Sequence, residues 1–365
     1  MVKGVFEHEF ELEDVKFMKR ALVLAKRGIG YVNPNPPVGA VIVKDGAIVS
    51  EGYHERYGGF HAERNAILRA LERGVDLSGT TMYVTLEPCD HYGKTPPCTD
   101  LIIEAGIRRV IVACRDPNPV SGDGISKLRN AGIHVAVGLL ESEAKEVMKF
   151  FMKSVVQKLP YVTLKYASSL DGKIADRGGN SKWITNELRK IVHKLRKEHM
   201  AVLVGAGTVL KDNPQLNIRL VKSKKRAPIK VILDWEGKTL RKRAELNVYS
   251  PESKVIVFSR LADYPVEEHI RVINVREPIE ILKTLWTLGV DSILVEGGAE
   301  VFSQFLPYAD EIYAFYGLKV LGDGKGIFSG ISNTIATPFE YCITKTVVAK
   351  NRSEFLVVMK RCSQG

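Results

Sequence analysis

His61-Ala62-Glu63 stands at the start of a helical pattern that ends at Gly74, and two cysteines, Cys89 and Cys98, follow farther along the chain. One histidine and two cysteines supply three ligands of the kind that bind zinc in tetrahedral coordination. A catalytic zinc leaves the fourth position to water and lowers the pKa of that water to about 7. These residues therefore predict a catalytic zinc site at which Glu63 moves the protons.

The combination is the pattern of enzymes that remove an amino group from a nucleobase, in which a glutamate that is not a metal ligand acts as acid and base. Cys98 follows two prolines at the predicted start of a second helix, where the helix dipole favours the thiolate that zinc binds. A structural zinc would take a fourth protein ligand, and His91 is near enough in sequence to provide it. A closed structural site therefore remains an alternative.

Strands and helices alternate around this pattern. A helix is predicted from Asp14 to Lys26, and strands are predicted at residues 38–43, 47–50, 82–86, 109–113 and 134–137. Helical stretches after Pro97 and after Asp123 separate the later strands. Alternation of this kind predicts a three-layer α/β domain.

A second series of alternating strands and helices begins after the helical segment 141–153 and Pro160. We therefore divide the chain into domains 1–153 and 154–365. Strands are predicted at 161–167, 202–205, 229–233, 254–258, 293–295 and 312–315, and helices at 187–197 and 278–288. Two last strands, 341–348 and 354–359, suggest an antiparallel finish. A chain of 365 residues is long enough for two domains that each bury a core.

The composition is that of a soluble globular protein, with 45% hydrophobic and 26% charged residues. The net charge of +11 would suit an acidic partner. However, the densest basic clusters, residues 222–226 and 241–243, have no interleaved aromatic residues on which bases could stack. These clusters are compatible with solvated loops or with a polyanion site, and we expect no nucleic-acid partner.

The cysteines argue against a disulfide framework, because two of the five are assigned to the metal and Cys114, Cys342 and Cys362 lie far apart in sequence. No apolar run approaches the roughly 20 residues that span a bilayer. The segment from Met1 to Asp14 lacks the apolar core of a signal peptide. We therefore expect a cytoplasmic protein with no membrane partner.

Motifs of the N-terminal half closely resemble the deaminase half of the bifunctional pyrimidine deaminases/reductases of riboflavin biosynthesis. The matching stretches are residues 34–39, 61–63, 85–89, 91, 93–98 and 116–119. Eight residues separate Cys89 from Cys98, more than in the general signature of cytidine deaminases, and in the family this longer loop reaches the substrate's phosphate. The resemblance implies a cytidine-deaminase-like fold and substrate binding by Asn35, His54, His91, Lys94 and Asp116.

The C-terminal half resembles the reductase half of the same family, a domain that is similar in fold to dihydrofolate reductase. The resemblance is carried by residues 165–175, 181–185, 204–209, 212–214, 216–219 and 295–299. It implies that NADPH is bound by Ala167, Trp183, Thr208, Asp212, Gly297 and Gly298. It also implies that the substrate is bound by Ser181, Arg196, Leu216, Arg219 and Glu296. The glycines alone do not form the three-glycine fingerprint of a standard dinucleotide-binding fold.

The resemblance implies an enzyme that carries out two steps and uses Zn²⁺ and NADPH. The first domain would deaminate 2,5-diamino-6-(5-phosphoribosylamino)pyrimidin-4(3H)-one hydrolytically, with Glu63 as the catalytic acid and base. The second would reduce the ribose of 5-amino-6-(5-phosphoribosylamino)uracil to a ribityl chain, with Lys165 or Asp171 as candidate acid. The expected partner is thus a small phosphorylated pyrimidine, and the family leaves room for a homo-oligomer formed through the reductase domain.

Two other classes of protein would use the same zinc residues. A deaminase of bases in RNA would explain the positive charge but gives no reason for the second domain. A zinc-stabilised scaffold without activity would lose its fold when the metal is chelated, whereas a catalytic zinc domain usually stays folded. We rank both behind the bifunctional enzyme.

Overall fold

The computed structural model describes residues 10–92, 96–181, 187–223, 227–261, 263–331 and 338–362. By its internal contacts the chain divides into two units, Met1–Gln157 and Lys158–Gly365. The predicted boundary between residues 153 and 154 falls inside the helix Lys149–Gln157, which ends the first unit. Among the residues that the structure describes, no helix has the length and apolar character needed to cross a membrane.

The first unit is built on one five-stranded sheet. Its strands are β1 (Gly39–Lys44), β2 (Ala47–Tyr53), β3 (Thr81–Val84), β4 (Arg109–Val112) and β5 (His134–Val137). Its helices are α1 (Leu12–Gly28), α2 (Ala62–Leu71), α3 (Cys98–Glu104), α4 (Gly124–Asn130), α5 (Glu141–Val147) and α6 (Lys149–Gln157). The strand order is β2-β1-β3-β4-β5, in which β1 is antiparallel to β2 and β3, while β3, β4 and β5 are parallel.

Helices cover both faces of this sheet. The continuous apolar run of β1 is buried from Gly39 to Val43, as expected for a strand with helices on both sides. Helix α1 contacts α5, whereas α3 contacts both α2 and α4. The unit therefore has the three-layer α/β arrangement that the sequence predicts.

Gly52 sets the distance between β2 and α2. A Cβ atom added at Gly52 would lie 2.3 Å from the carbonyl oxygen of Ala62 and 2.5 Å from the amide nitrogen of Ala66. A glycine, which has no Cβ, allows the two backbones to approach this closely. The first turn of α2, which carries Glu63, is thereby held against the sheet.

The second unit contains a nine-stranded sheet and a separate two-stranded ribbon. The strands are β6 (Tyr161–Ser169), β7 (Lys173–Asp176), β8 (Ala201–Gly205), β9 (Ile229–Leu233), β10 (Val255–Phe258), β11 (Ile270–Ile273), β12 (Ser292–Val295), β13 (Glu311–Gly317), β14 (Gly324–Gly326), β15 (Tyr341–Val348) and β16 (Glu354–Arg361). The helices are α7 (Arg189–Glu198), α8 (Ala206–Asp212), α9 (Lys238–Arg241), α10 (Pro278–Thr287) and α11 (Ala299–Phe305). The ribbon consists of β7 and β14.

The order of the large sheet is β11-β10-β9-β8-β12-β6-β13-β16-β15. The seven strands from β11 to β13 run parallel, and β16 and β15 complete the sheet in antiparallel fashion. The predicted antiparallel finish is therefore confirmed. In such sheets ligands bind in crevices outside the carboxyl ends of parallel strands, which here include β8, β9, β10 and β12.

Cys342 and Cys362 form a disulfide, with 5.4 Å between their Cα atoms. The separation of these cysteines along the chain gave no indication of this bond, which forms because pairing of β15 with β16 places Cys342 opposite Lys360, two residues before Cys362. Separation along the chain does not limit contact across antiparallel strands. Cys89, Cys98 and Cys114 are free thiols.

Candidate active sites

The three predicted zinc ligands come together from three separate segments of the first unit. His61 is the residue directly before α2, Cys98 is the first residue of α3, and Cys89 lies in the loop between β3 and α3. The Nδ1 atom of His61 lies 3.5 Å from the Sγ atoms of both cysteines. All three donor atoms lie within 4.8 Å of one another.

This donor set fits a zinc ion, because one imidazole and two thiolates are a known catalytic combination that leaves a position for water. Hydrogen bonds from Cys98 and His61 lower the pKa of Cys89 to about 4. The hydrogen bond with Cys89, together with burial, raises the pKa of Cys98. The pair thus favours one thiolate even before a metal adds its own charge.

Glu63 lies in the first turn of α2, beside the three donor atoms, and is only 4% exposed. Burial raises the pKa of its carboxyl group to about 7, against the opposing influence of His61. A carboxyl group with a pKa near neutrality can both accept and return a proton at physiological pH. The position and environment of Glu63 therefore suit an acid and base.

One ammonium group links the two segments that carry the cysteines. The Nζ atom of Lys127, in α4, lies 2.5 Å from Oδ1 of Asp90 and 2.6 Å from Oδ1 of Asp100. Asp90 directly follows Cys89, and Asp100 lies two residues after Cys98. Sequence reasoning missed Lys127, because no motif connects α4 with the cysteine-bearing segments.

Helix α4 also packs directly on the loop before Cys89. A Cβ atom at Gly124 would lie 1.9 Å from the carbonyl oxygen of Pro88. The buried carboxylate of Glu87 accepts hydrogen bonds from the backbone amides of Asp116 and Ile125, each at 3.2 Å. The start of α4 and the loop before it are therefore fixed against the zinc-ligand segment.

Two of the residues predicted to bind the deaminase substrate lie together near His61. Nδ2 of Asn35 is 3.3 Å from Nε2 of His54, and Nδ1 of His54 is 2.9 Å from the carbonyl oxygen of Phe60. Because that carbonyl can only accept, His54 carries its proton on Nδ1 and accepts from Asn35 through Nε2. The rings of His54 and His61 meet edge to face at 5.5 Å.

The other predicted substrate residues lie on the Cys89 side of the site or outside the described residues. Asp116 accepts hydrogen bonds from the Asn118 amide and the Ser121 hydroxyl, while burial raises the pKa of its carboxyl group. The electrostatic effect of His91 opposes that of burial and lowers the pKa of Asp116. The buried Nδ1 atom of His91 has no hydrogen-bond partner among the described residues. Lys94 lies outside the described residues.

The second unit contains a cleft of about 830 Å³, a size typical of small-molecule sites. The predicted cofactor residues that line it are Ala167, Thr208, Asp212, Gly297 and Gly298, and the predicted substrate residues that line it are Ser181, Arg196, Leu216 and Glu296. Arg219 is not among the lining residues. Trp183 lies outside the described residues.

The side chain of Arg196 is largely buried, and its guanidinium group donates hydrogen bonds to other protein groups. Its Nε and Nη2 atoms lie 2.6 and 2.8 Å from the two carboxylate oxygens of Glu296, and Nη1 donates to the carbonyl oxygen of Asn217 at 3.2 Å. Burial alone would raise the pKa of Glu296, but the charge of Arg196 and these hydrogen bonds lower it to about 2. Glu296 is therefore ionised.

Lys165 and Asp171, the two candidate acids, differ in position. Lys165 lines the cleft, its pKa is lowered by burial, and it interacts with the charge of Glu296. Asp171 is exposed and accepts hydrogen bonds from the Ser169 hydroxyl and the amides of Leu321 and Gly322, which lower its pKa to about 2. Only Lys165 of the two stands at the cleft.

Two glycines, Gly205 at the end of β8 and Gly297 after β12, approach each other closely within the cleft. A Cβ atom at Gly297 would lie 3.1 Å from the amide nitrogen of Gly205 and 3.0 Å from the side chain of Val301. Gly207, two residues after Gly205 and in the first turn of α8, has no other atom within 4 Å of an added Cβ. The end of β8, the start of α8 and the turn after β12 thus present glycine backbone to the cleft, as required where a ligand approaches the main chain closely.

Sequence reasoning missed Trp235 and Arg276, which line the cleft beyond β8. The guanidinium of Arg276 lies 5.3 Å from the ring centroid of Trp235. The position of Trp235 just after the predicted strand 229–233 was a signal that could have been used, since ligands gather at such strand ends. Arg276 had no such signal, because β11 was not predicted.

Comparison with known protein families matches both units. The profile of the cytidine and deoxycytidylate deaminase zinc-binding region covers residues 12–114. The profile of the RibD C-terminal domain covers residues 160–344. The first unit therefore belongs to a zinc-binding deaminase class, and the second to the class of RibD reductase domains with the fold of dihydrofolate reductase.

Relatives cover nearly the whole chain. The riboflavin biosynthesis protein RibD of Aquifex aeolicus is 46% identical over 86% of this chain and 89% of its own length. A crystal structure from Thermotoga maritima, described as a diaminohydroxyphosphoribosylaminopyrimidine deaminase/5-amino-6-(5-phosphoribosylamino)uracil reductase, is 51% identical, with a TM-score of 0.91 over 96% of this chain and 99% of that one. RibD of Acinetobacter baumannii is 34% identical, with a TM-score of 0.85 over 96% of this chain and 99% of that one.

The alternatives of an RNA-base deaminase and of an inactive zinc scaffold do not account for these matches, which extend through both units. The two sites and the two profiles agree with the predicted pairing of a deaminase with a reductase. The chain belongs to the RibD family of bifunctional riboflavin-biosynthesis enzymes, with an N-terminal zinc-binding deaminase domain and a C-terminal reductase domain.

Proposed function

We propose that the first unit deaminates 2,5-diamino-6-(5-phosphoribosylamino)pyrimidin-4(3H)-one and that the second reduces the ribose of 5-amino-6-(5-phosphoribosylamino)uracil with NADPH. The observation that carries the proposal is the convergence of His61, Cys89 and Cys98 beside the buried carboxyl of Glu63. The same chain carries a cleft with paired glycines and an ionised glutamate. A cytoplasmic location and a homo-oligomer formed through the reductase domain remain predictions.

His61, Cys89 and Cys98 would hold the zinc ion. When bound, zinc lowers the pKa of a coordinated water and so supplies a nucleophile at neutral pH. Glu63 accepts a proton and later delivers it to the departing ammonia, which its near-neutral pKa permits. Burial of Glu63 keeps bulk water from competing for that proton.

In this proposal the side-chain amide of Asn35 forms hydrogen bonds with the edge of the pyrimidine ring, and His54 positions Asn35. Because Nδ2 of Asn35 donates to His54, the amide oxygen of Asn35 is the group turned away from His54. That oxygen can accept a hydrogen bond from an amino or ring N–H group of the substrate. His54 itself is only 2% exposed and is bonded at both ring nitrogens, which suits a positioning residue.

His91 and Lys94 are proposed to bind the phosphate of the same substrate, and Asp116 is proposed to line the same pocket. His91 has a buried ring nitrogen available for a hydrogen bond. A lysine in the loop between the two cysteines would supply a compact positive charge for the phosphate. Asp116 acts here mainly by ordering its own loop, through Asn118 and Ser121.

The reductase cleft would hold the cofactor along Ala167, Trp183, Thr208, Asp212 and the Gly297-Gly298 turn. NADPH supplies the hydride. Glu296, ionised and fixed by Arg196, would accept hydrogen bonds from ribose hydroxyls. Lys165, beside Glu296, is the proposed proton source, and Ser181, Leu216 and Arg219 complete the proposed substrate set.

The deaminase step is tested with Glu63→Gln, which keeps the shape of the side chain but cannot exchange the proton. Ammonia release from the diaminopyrimidinone ribotide should fall by about 10²-fold or more. Zinc content, measured with a chromophoric chelator, should remain that of the unsubstituted protein.

NADPH consumption by the same variant with the deaminated substrate is the internal control, because Glu63 and the cleft belong to different units. Undiminished ammonia release from the Glu63→Gln variant would refute the role of Glu63. If neither the unsubstituted protein nor the Glu63→Gln variant consumes NADPH with the deaminated substrate, the reductase assignment is refuted.

A further inference from the structure

The reductase cleft extends well beyond the residues that the proposed reaction uses. Glu296 directly follows β12, and Lys165 lies in the middle of β6, one residue after Leu164, which pairs with the last residue of β12. Leu233, Phe258 and Val275 line the cleft near the ends of β9, β10 and β11. Strand β9 is two places from β12 in the sheet, so that the far end lies on the order of 10 Å away at the usual strand spacing. A dinucleotide bound along the cleft would place its second nucleotide there.

The far end has one flat aromatic surface and one guanidinium group. Trp235 follows β9 and is half-buried, and Arg276 reaches it from beyond β11, with 5.3 Å between guanidinium carbon and ring centroid. Neighbouring apolar groups are Phe258, Val275 and Ile281. Such a surface can cover an adenine ring, while the exposed guanidinium remains available to an anion.

The other cations that line the cleft are placed elsewhere. Lys165 lies beside Glu296, and Arg196 has its donors committed to Glu296 and Asn217. Lys211 lies 3.5 Å from the carbonyl oxygen of Gly178, and Lys325 belongs to the ribbon of β7 and β14. Among the described lining residues, Arg276 is therefore the cation at the end formed by β9, β10 and β11.

We infer that Arg276, stacked on Trp235, binds the 2′-phosphate of NADPH and makes the reductase select NADPH over NADH. This inference rests on the proposed use of a nicotinamide cofactor in this cleft. A guanidinium group matches a phosphate through two parallel hydrogen bonds, and stacking on the indole fixes its plane in advance. Glu277 also lines this end. Its carboxylate would repel the 2′-phosphate of NADPH, and the positive charge of Arg276 would reduce that repulsion.

The test is calorimetric titration of the full chain with NADPH and with NADH, which measures binding without turnover. Arg276→Gln should raise the dissociation constant for NADPH by about 10- to 100-fold, the value of one charge-assisted contact. The constant for NADH, which has no 2′-phosphate, should stay the same. Adenosine 2′,5′-bisphosphate and 5′-AMP, titrated in parallel, should show the same contrast for the adenosine end alone.

Arg260→Gln is the matched control. Arg260 follows β10 and forms an exposed ion pair with Glu236, but it does not line the cleft. Its substitution should change neither constant. Trp235→Leu should weaken both cofactors, because the indole faces the adenosine part that they share.

The results separate the two levels of the argument. If the unsubstituted chain binds neither NADPH nor NADH, the proposed cofactor is wrong. If it binds NADPH and Arg276→Gln weakens both cofactors equally or neither, the cofactor stands and the assignment of Arg276 is wrong.

Discussion

Asp14, near the start of α1, is a buried carboxylate on which three parts of the first unit converge. It accepts hydrogen bonds from the amide of Glu11 at 2.8 Å and from the hydroxyl of Tyr83 at 2.6 Å. Two guanidinium nitrogens of Arg109 lie 3.1 and 3.0 Å from its oxygens. One side chain thus joins the start of α1 to β3 and β4.

We expect Asp14→Asn to destabilise the first unit by about 2–3 kcal/mol at pH 7, because Arg109 loses its charged partner. Despite burial, which opposes it, the hydrogen bonds hold the pKa of Asp14 below 3.8. The contribution is therefore present above pH 3.8 and lost as the pH falls through the still lower folded-state pKa. The penalty of the substitution should accordingly shrink in acid.

Urea unfolding measures this penalty, and the chain offers a convenient pair of probes. All three tryptophans, Trp183, Trp235 and Trp286, lie in the second unit. Asp14→Asn should shift the transition seen by circular dichroism but not the one seen by tryptophan fluorescence. The exposed neighbour Glu13 provides the control Glu13→Gln, and an equal shift in both variants would contradict the role given to Asp14.

For single residues, the sequence indicates side chains of a type that binds metals, but it does not indicate residues whose contacts lie far away along the chain. His61, Cys89 and Cys98 could be predicted because a ligand set has a recognisable composition. The role of Lys127 depends on contacts with Asp90 and Asp100, which no local pattern predicts. Cys342 and Cys362 were missed for the same reason.

Among the elements, α4 has the most specific task, since it fixes both cysteine-bearing segments. Gly124 brings its first turn against Pro88, and Lys127 one turn later bonds to Asp90 and Asp100. From one short helix these contacts reach both the loop that carries Cys89 and, through Asp100, the first turn of α3. We therefore assign α4 the role of setting the separation of the thiol groups.

Lys127→Met should weaken the hold of the protein on zinc, with release to a chromophoric chelator about 10-fold faster, as for other groups that support metal ligands. NADPH binding to the second unit should be unaffected. Lys145→Met removes a lysine that pairs with Glu141 on the surface of α5 and should not alter zinc release. Equal release rates in both variants would show that the bonds of Lys127 do not secure the site.

Predicted elements were most accurate where most residues of a short segment are β-branched or otherwise apolar. The predicted strands 229–233 and 134–137 have the observed bounds, because four of the five residues of β9 and the last three residues of β5 are apolar, as is typical of strands in a covered parallel sheet. Strands β7, β11 and β14 were missed. They are only three or four residues long and partly exposed, so that their stability comes from pairing with a neighbour and not from local preference.

The whole molecule combines two units with separate hydrophobic cores. One core is formed by residues 17–151, and the others by residues that all lie beyond residue 161. From a change in the pattern of strands and helices, the sequence predicted two domains, 1–153 and 154–365. It did not predict the strand order, because pairing between distant strands leaves no periodic signal in either strand.

Removal of zinc should therefore abolish one activity and spare the other. Treatment of the full chain with dipicolinate is expected to stop ammonia release, since it would remove the ion that His61, Cys89 and Cys98 are proposed to hold. Reduction of the deaminated substrate by NADPH should continue at an unchanged rate. Re-addition of zinc should restore ammonia release, and a parallel loss of both activities under chelation would contradict the separation of the two units.

The position of β16 has a consequence for how the protein is made. Although β16 follows β15 in the chain, it lies between β13 and β15 in the sheet. The first unit has all of its strands once residue 137 has been synthesised, whereas β15 finds its neighbour only after residues 354–361 have followed. During translation the first unit can therefore fold before the second is complete. Until β16 has been synthesised, β13 has an unpaired edge, which can pair with strands of other chains and lead to aggregation.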